Sequence, residues 1–232
     1  MRWCLVAYLF MSLSCFAIEV TPMVLTLDPT MTSQPAYSRV RNTLNRDLAF
    51  EIEVYEVDFS KQQPQFHYLD EPPIWVFPPT IYLKKNEQQR IQFRWNGDTP
   101  KTDKTYQVTL VEQVVSGQTS EVSQLTMLLN VNMIVHVHQQ AFEANLVVEN
   151  IDCLEKQCSF DVRNVGDGAS RLSEYEIIIS SKDKPQLTFD KQQLKALGYD
   201  VFFAPSAISH VSIPILKEGH VDLTSPTVTL KK

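Results

Sequence analysis

The sequence predicts an all-β protein built as two sandwich domains, and three features of the chain support this fold class. Short segments alternate between apolar and polar residues with a period of two, and helical periodicity is nearly absent. Turn-forming residues separate these segments at intervals of roughly ten residues. The length of 232 residues suits two domains, since single domains usually have roughly a hundred residues.

The clearest alternation lies in residues 49–57, where Phe50 and Glu51 point to opposite faces of one predicted strand. Residues 91–95 and 106–111 alternate in the same way. The turns between such segments are predicted at Asp28–Pro29, residues 45–47, Asn86, residues 96–98 and Ser116–Gly117. Helix is favoured only in residues 190–197, and there for a turn or two.

A second series of strands begins after His138, and the predicted domains are therefore residues 18–140 and 141–232. The strands predicted in the second domain are residues 145–151, 159–162, 175–179, 201–203, 210–215 and 228–230.

Residues 1–17 are predicted to be a secretory signal peptide. Arg2 precedes an apolar run that ends at Phe16, and small residues stand before a cleavage point ahead of Ile18. A transmembrane helix would need about twenty apolar residues, and this run is shorter. A lipoprotein signal ending at Cys15 is a second alternative, although the leucine lies one position too late for it. The mature chain is expected to be soluble, with no membrane insertion.

Composition and motifs argue against nucleic-acid binding and against catalysis. The net charge is −6 and the Lys and Arg residues are dispersed, whereas a nucleic-acid surface needs clustered cations. The chain has no Gly-x-Ser-x-Gly, no His-Glu-x-x-His and no phosphate-binding loop. His136 and His138 lie on one strand face, but two ligands do not make a metal site. We expect no enzyme activity and no cofactor.

Cys153 and Cys158 are expected to form a disulfide after export. Cys4 and Cys15 leave with the signal peptide, and two cysteines in an oxidising compartment favour a disulfide over a metal site or a nucleophile. Predicted strands flank the pair, so the disulfide is expected to cross a hairpin. Closing so small a loop contributes about 2 kcal/mol in the chain-entropy model.

Residues 124–137 are predicted to form one long strand with large apolar side chains. One face of this strand carries Leu125, Met127, Leu129, Val131 and Met133. One hypothesis makes it a central strand, buried on both faces in its own core. The other makes it an edge strand that offers its side chains to a partner strand, each fully buried one being worth roughly 1.5–3 kcal/mol. The polar residues 116–123 would then form a flexible hairpin tip.

Residues 76–91 resemble a segment of the periplasmic chaperones that assemble pili by the chaperone–usher pathway. They contain Pro78-Pro79, a spaced Leu83, a polar turn and then a strand that begins with Gln and Arg. At the turn this chain has Lys85-Asn86 where the family usually has Pro-Gly. Further similar segments are residues 106–112, residues 164–168 followed by Arg171-Leu172, and Gly198-Tyr199 ahead of residues 204–206. The resemblance covers nearly the whole mature chain.

The resemblance implies two immunoglobulin-like domains arranged in an L shape, in the periplasm. It also implies donor-strand complementation, in which the chaperone lends a strand to a pilus subunit that lacks its last strand, until an outer-membrane usher replaces it. Residues 124–137 would be this lending strand, with Leu125, Met127, Leu129 and Val131 as the inserted residues. Residues 18–27 would lie close by and complete the subunit-facing edge.

The chain departs from the family at the cations that hold the subunit's terminal carboxylate. Usual members have an Arg in the first strand and a Lys late in the lending strand, and residues 20–25 and 132–136 contain neither. The available cations are Arg39, Arg41, Arg90 and Arg94. Arg41 and Arg94 are our candidates for a bidentate carboxylate anchor; the alternative is that all four are solvated charges on a strand face.

Two other functions are also consistent with the sequence. An exported binding module of the adhesin type would bury Met127 and Leu129 in its own core, whereas a chaperone would leave them at an open edge. A family member that has lost subunit binding would also account for the absent cations.

Overall fold

The computed structural model describes residues 17–31, 34–61, 63–114, 127–154, 157–181, 184–215 and 226–232. Residues 1–16 of the predicted signal peptide lie outside these ranges, as do residues 115–126 with Leu125. The described chain is nearly all β, which confirms the predicted fold class.

The first half of the chain forms two sheets that face each other across one hydrophobic core. Its strands are β1 (Ile18–Thr21), β2 (Val24–Leu27), β3 (Ala36–Asn42), β4 (Leu48–Asp58), β5 (Gln65–Tyr68), β6 (Ile74–Phe77), β7 (Thr80–Leu83), β8 (Gln88–Trp95), β9 (Lys104–Gln113) and β10 (Asn130–Val137). One sheet has the order β1-β3-β8-β6, and the other has β2-β10-β9-β4-β5, with β7 also paired to β4.

The alternation seen in the sequence places one face of each strand in this core. On β8, the side chains of Ile91 and Phe93 are fully buried, whereas that of Arg90 points to the opposite face and is exposed. The first strand changes sheet at Pro22, so that β1 pairs with β3 while β2 lies parallel to β10. This change of sheet brings both halves of the N-terminal segment to the same side of the sandwich as β10.

The second half forms β11 (Leu146–Leu154), β12 (Gln157–Asn164), β13 (Ser170–Arg171), β14 (Glu176–Ser181), β15 (Lys184–Phe189), β16 (Phe202–Phe203), β17 (Ile208–Pro214) and β18 (Thr227–Lys231). Its sheets have the orders β11-β12-β17, β15-β14-β18 and β13-β16. A second hydrophobic core runs from Cys158 to Val228. The predicted division after residue 140 falls between Val137, the last buried residue of the first core, and Cys158, the first buried residue of the second.

The predicted helical turn is present as α1 (Lys191–Ala196), which begins after Asp190. The Asp190 carboxylate accepts the N–H groups of Gln192 and Gln193, and the Gln193 side chain accepts the N–H of Asp190. This capping box satisfies backbone groups that so short a helix leaves unpaired. Among the residues described, no helix has the length and apolar character needed to cross a membrane.

A disulfide joins Cys153 and Cys158, which lie directly opposite each other on β11 and β12. The cross-link therefore spans neighbouring antiparallel strands, as the sequence predicts. Cys158 is fully buried in the second core, whereas Leu154 beside the hairpin end is exposed.

A buried asparagine organises the same kind of turn in both halves, a repeat that was not predicted from the sequence. The Asn42 side chain donates to the carbonyls of Arg46, Leu83 and Lys84 and accepts the N–H of Leu44. The Asn164 side chain likewise donates to three carbonyls, those of Gly168, Phe203 and Ala204, and accepts the N–H of Gly166.

The glycines of the second turn are required by close packing of two backbones. A Cβ at Gly166 would lie 2.3 Å from the carbonyl oxygen of Glu143, far inside van der Waals contact. One at Gly168 would lie 2.8 Å from the backbone of Phe142. The turn therefore packs directly on the segment that joins the two units.

Candidate functional site

Burial along residues 127–137, which end in β10, decreases toward the N-terminal end of this segment. Met133, Val135 and Val137 are fully buried in the first core. On the same face, Val131 and Leu129 are half-buried, and Met127 is 72% exposed. The strand thus contributes to its own core with one half and extends past that core with the other.

The regular strand is shorter than the sequence predicts, because β10 begins at Asn130 and not at residue 124. Residues 127–129 continue outside the ladder, and residues 124–126 lie outside the described part of the chain. Of the predicted inserted residues, only Val131 therefore lies within β10.

The two edges of β10 have different neighbours. Strand β9 pairs antiparallel with the whole of β10, from Asn130 to Val137. Strand β2 pairs with the other edge only from Ile134 to Val137. Within the described ranges, no strand pairs with residues 130–132 on the side away from β9, so this stretch is an open edge.

The backbone groups at this open edge belong to Asn130 and Asn132. The N–H of Ile134 donates to Met23 at 2.8 Å on the β2 side, and backbone groups of alternate residues in a strand point the same way. The N–H and C=O groups of Asn130 and Asn132 therefore point toward the open side. Such an edge can pair with an added strand.

Exposed apolar side chains surround the open edge. Met127 and Leu128 lie just before β10, Val114 follows β9, and Met23 and Val24 lie where β2 begins. Each of these five side chains is 47% exposed or more. Apolar side chains grouped beside unpaired strand edges are typical of surfaces that bind another protein.

The buried carboxylate of Glu112 holds the chain where it enters β10. Glu112, at the end of β9, has a side chain that is only 1% exposed and forms a two-pronged ion pair with Arg46. Its Oε2 accepts the N–H of Leu129 at 2.9 Å, and its own N–H donates to the Leu129 carbonyl at 3.0 Å. Arg46 also donates to the Met127 carbonyl at 3.4 Å.

This arrangement explains why the ladder ends at Asn130. In a regular antiparallel pair, the N–H of Leu129 would donate to the carbonyl of Glu112. Here the Glu112 side chain takes that N–H, so the strand pairing stops one residue earlier. The ion pair also raises the pKa of the Arg46 guanidinium, chiefly by hydrogen bonding to Glu112.

The candidate anchor residues Arg41 and Arg94 lie on the outer face of the β1-β3-β8-β6 sheet. Arg41 is exposed and pairs with Glu19 of β1 at 3.5 Å. Arg94 lies over the Trp75 ring at 5.8 Å, and Arg90 lies over Tyr37 at 3.4 Å. Arg41 thus lies opposite Glu19 of the edge strand β1. Arg94 lies opposite Trp75 of β6, the strand at the other edge of the same sheet.

The junction between the two units is built on Asp103, whose side chain is 6% exposed. Its carboxylate accepts the N–H of Ala169 at 2.7 Å and lies 2.9 Å from Nδ1 of His138, which must carry the proton because a carboxylate only accepts. The N–H of Asp103 donates to the Asp167 carbonyl at 2.8 Å. One residue thus ties β9, the end of β10 and the glycine turn together.

Neither histidine of the His136-x-His138 pair is arranged for a metal. His136 lies 3.0 Å from the Thr105 hydroxyl and packs against the Phe202 ring at 4.8 Å. Burial lowers the pKa of His136, which favours the neutral imidazole at this apolar contact. In the described part of the chain, no group of three His, Cys, Asp or Glu side chains is placed to hold a metal ion.

A cleft of about 600 Å³ lies between the two units. Its charged lining includes Asp58, Asp103 and Asp167. The cation Lys104 also lines it, but its ammonium is 2.6 Å from the Glu56 carboxylate. The described lining is therefore more suited to a cation than to a carboxylate.

Comparison with known proteins identifies similar structures but no similar sequence. No family model matches the chain, and no curated protein matches it. The structure of the class 5 fimbriae chaperone CfaA superposes with a TM-score of 0.62 at 10% identity, covering 93% of this chain and 99% of that one. The chain has the fold of a fimbrial chaperone.

Two further similar structures come from complexes with adhesive subunits. One belongs to a chaperone–tip adhesin complex of CFA/I fimbriae biogenesis, with a TM-score of 0.59, 10% identity and coverage of 91% of this chain and 93% of that one. The other belongs to the CsuC–CsuE chaperone–tip adhesion subunit complex of Acinetobacter baumannii, with a TM-score of 0.55, 9% identity and coverage of 92% and 97%. The family resemblance stated from the sequence is thus confirmed for the fold.

Proposed function

We propose that this chain is a periplasmic chaperone that binds pilus subunits by donor-strand complementation and delivers them to an outer-membrane usher. The observation that carries the proposal is the open edge at Asn130–Asn132, next to a strand whose apolar face extends beyond its own core. A subunit lacking one strand would gain both the hydrogen-bonding edge and the apolar side chains from this segment.

The geometry favours a chaperone over an exported binding module without chaperone activity. An ordinary module has no need to expose Met127 at 72% beside backbone groups that no described strand pairs, because such an edge is an aggregation hazard. A bound subunit removes this hazard by covering the edge. The same feature argues against a chain that has lost subunit binding, since selection against exposed apolar edges would then act unopposed.

The edge strand β1 supports the position proposed for residues 18–27. It pairs with β3 alone among the described strands, so its other side is open, as is the side of residues 130–132 of β10 that faces away from β9. These two edges belong to opposite sheets of one sandwich. A subunit entering between them would meet both.

Co-purification tests the proposal. The chain would be produced in the periplasm together with candidate pilus subunits from the same genome, purified by an affinity tag and analysed for bound subunit. The proposal predicts a one-to-one complex that protects the subunit from aggregation. Failure to retain any of these subunits, by a chain that is folded and oxidised, would contradict it.

The carboxylate anchor stays a proposal that can be tested by paired substitutions. If Arg41 holds the subunit's terminal carboxylate, Arg41→Gln should weaken subunit binding about tenfold or more, since a hydrogen bond to a charged group contributes about 1.5–3 kcal/mol. Arg39→Gln is the matched control, because Arg39 is exposed on the same face of β3. On β8, Arg94→Gln is the test variant and Arg90→Gln is its matched control. Affinity for the subunit would be measured by titration calorimetry. If each test variant binds the subunit as tightly as its control, Arg41 and Arg94 are not the carboxylate anchor.

A further inference from the structure

A buried ion pair stands at the point where the lending strand leaves its own sheet. Glu112 follows the inward-facing residues Tyr106, Val108 and Leu110 on β9, at a position where an apolar side chain would be expected. A carboxylate that is 1% exposed carries a large desolvation cost. Replacing such a pair by apolar residues of similar size is often neutral or stabilising, so stability alone is a weak reason for it.

The hydrogen bonds of this pair go to the backbone of the exposed segment. Glu112 takes the N–H of Leu129, and Arg46 donates to the carbonyl of Met127. Together they hold residues 127–129, which pair with no strand among the described residues, against the end of β9. The side chains of Arg46 and Glu112 thus hold this segment in place by hydrogen bonds where the regular β9–β10 pairing has ended.

The loop that carries Arg46 is itself fixed. The fully buried Asn42 donates to the Arg46 carbonyl at 2.8 Å and to the carbonyls of Leu83 and Lys84 on the neighbouring turn. Asn42 also lies opposite Ile18 on β1. Asn42 therefore links Arg46, which holds residues 127–129, to the edge strand β1.

We infer that Arg46 and Glu112 are positioning residues that hold residues 127–129 extended in the free chain, ready to pair with an incoming subunit strand. This inference rests on the proposed function. A segment ordered before binding loses less conformational entropy when the partner arrives. The ion pair should consequently increase the rate of subunit capture while contributing little to the free energy of unfolding.

The double variant Arg46→Met with Glu112→Leu separates these two roles. It replaces the pair by apolar side chains of similar size, so the melting temperature is expected to be unchanged or higher. Amide exchange in the free chain should become at least tenfold faster at Leu129, which loses its acceptor, and should stay unchanged at Met133 and Val135. The rate of capture of a purified pilus subunit should fall at least tenfold.

Glu112→Gln provides a second variant of nearly the same shape. Its amide oxygen can still accept the N–H of Leu129, but the charge that binds Arg46 is lost, so capture should be intermediate between the wild-type and double-variant rates. Wild-type exchange at Leu129 in the double variant, or wild-type capture rates in both variants, would overturn the inference. If the wild-type chain captures no subunit, the proposed function fails, and the exchange measurement on the free chain still decides whether the pair positions the segment.

Discussion

Leu129→Asp is expected to abolish subunit capture while leaving the free chain folded. Leu129 is half-buried on the face that continues from the core residues Met133 and Val135, and it lies where that face leaves the core. In a complex its side chain would be buried in the subunit. Losing this burial and introducing a charge should together cost about 3 kcal/mol or more, which is roughly a hundredfold in affinity.

Leu128→Asp is the matched control for this substitution. Leu128 is the neighbouring residue, has the same side chain and is 48% exposed, but alternation places it on the opposite face. It should therefore reduce capture much less. Both variants would be compared with the wild-type chain by co-purification and by circular dichroism. Equal capture by the two variants, or full capture by Leu129→Asp, would contradict the orientation proposed for the lending strand.

Asp103→Ala is expected to lower the free energy of unfolding by about 2–3 kcal/mol, because a hydrogen bond to a charged group contributes about 1.5–3 kcal/mol and the partner groups are left unpaired. The carboxylate that accepts from Ala169 and lies beside His138 is nearly buried, so water replaces it poorly. The loss should also weaken the coupling between the two units, since Asp103 touches both.

Urea unfolding followed by tryptophan fluorescence and by far-ultraviolet circular dichroism would measure both effects. The three tryptophans are Trp3, which lies in the predicted signal peptide, and Trp75 and Trp95, which lie in the first unit. The fluorescence of a chain produced without residues 1–17 therefore reports only on the first unit. The two curves should coincide for the wild-type chain and separate for Asp103→Ala. Asp98→Ala, in the exposed loop that precedes β9, is the control. An unchanged midpoint in Asp103→Ala would show that the junction does not depend on this carboxylate.

The fold class could be predicted from the sequence because it depends on local alternation. Residues 49–57 and 106–111 alternate as written in the chain, and both lie in strands whose inward residues fill the first core. The helix after Asp190 was predictable for the same reason, since capping is a local interaction. The cysteine pair is only five residues apart, and that spacing already suggests neighbouring strands.

The start of β10 could not be predicted from alternation. Residues 124–129 continue the apolar period of the strand, and the pattern contains nothing that marks Asn130 as its beginning. The ladder ends there because a side chain of β9 intervenes, and this depends on the register between two strands. The sequence alone therefore left a core strand and a lending strand as competing hypotheses, whereas the structure shows a strand that is buried at one end and open at the other.

The ion pair between Arg46 and Glu112 was also missed, although one feature of the sequence indicates it. Glu112 continues the inward-facing parity of Val108 and Leu110, so a buried carboxylate that needs a cation was predictable at this position. Its partner was not, because Arg46 lies 66 residues away in a loop. The repeated roles of Asn42 and Asn164 were also missed, although both asparagines end a Val-Arg-Asn triplet, at residues 40–42 and 162–164.

Amide exchange at Asn130 and Asn132, measured on the free chain and on its complex with a pilus subunit, tests the central claim most directly. Both N–H groups point to the open edge, so they should exchange quickly in the free chain and become strongly protected when a subunit strand pairs with that edge. The amides of Val131 and Met133, which point to β9, should change much less. A bound subunit that leaves Asn130 and Asn132 exchanging at their free rates would contradict donor-strand pairing at this edge.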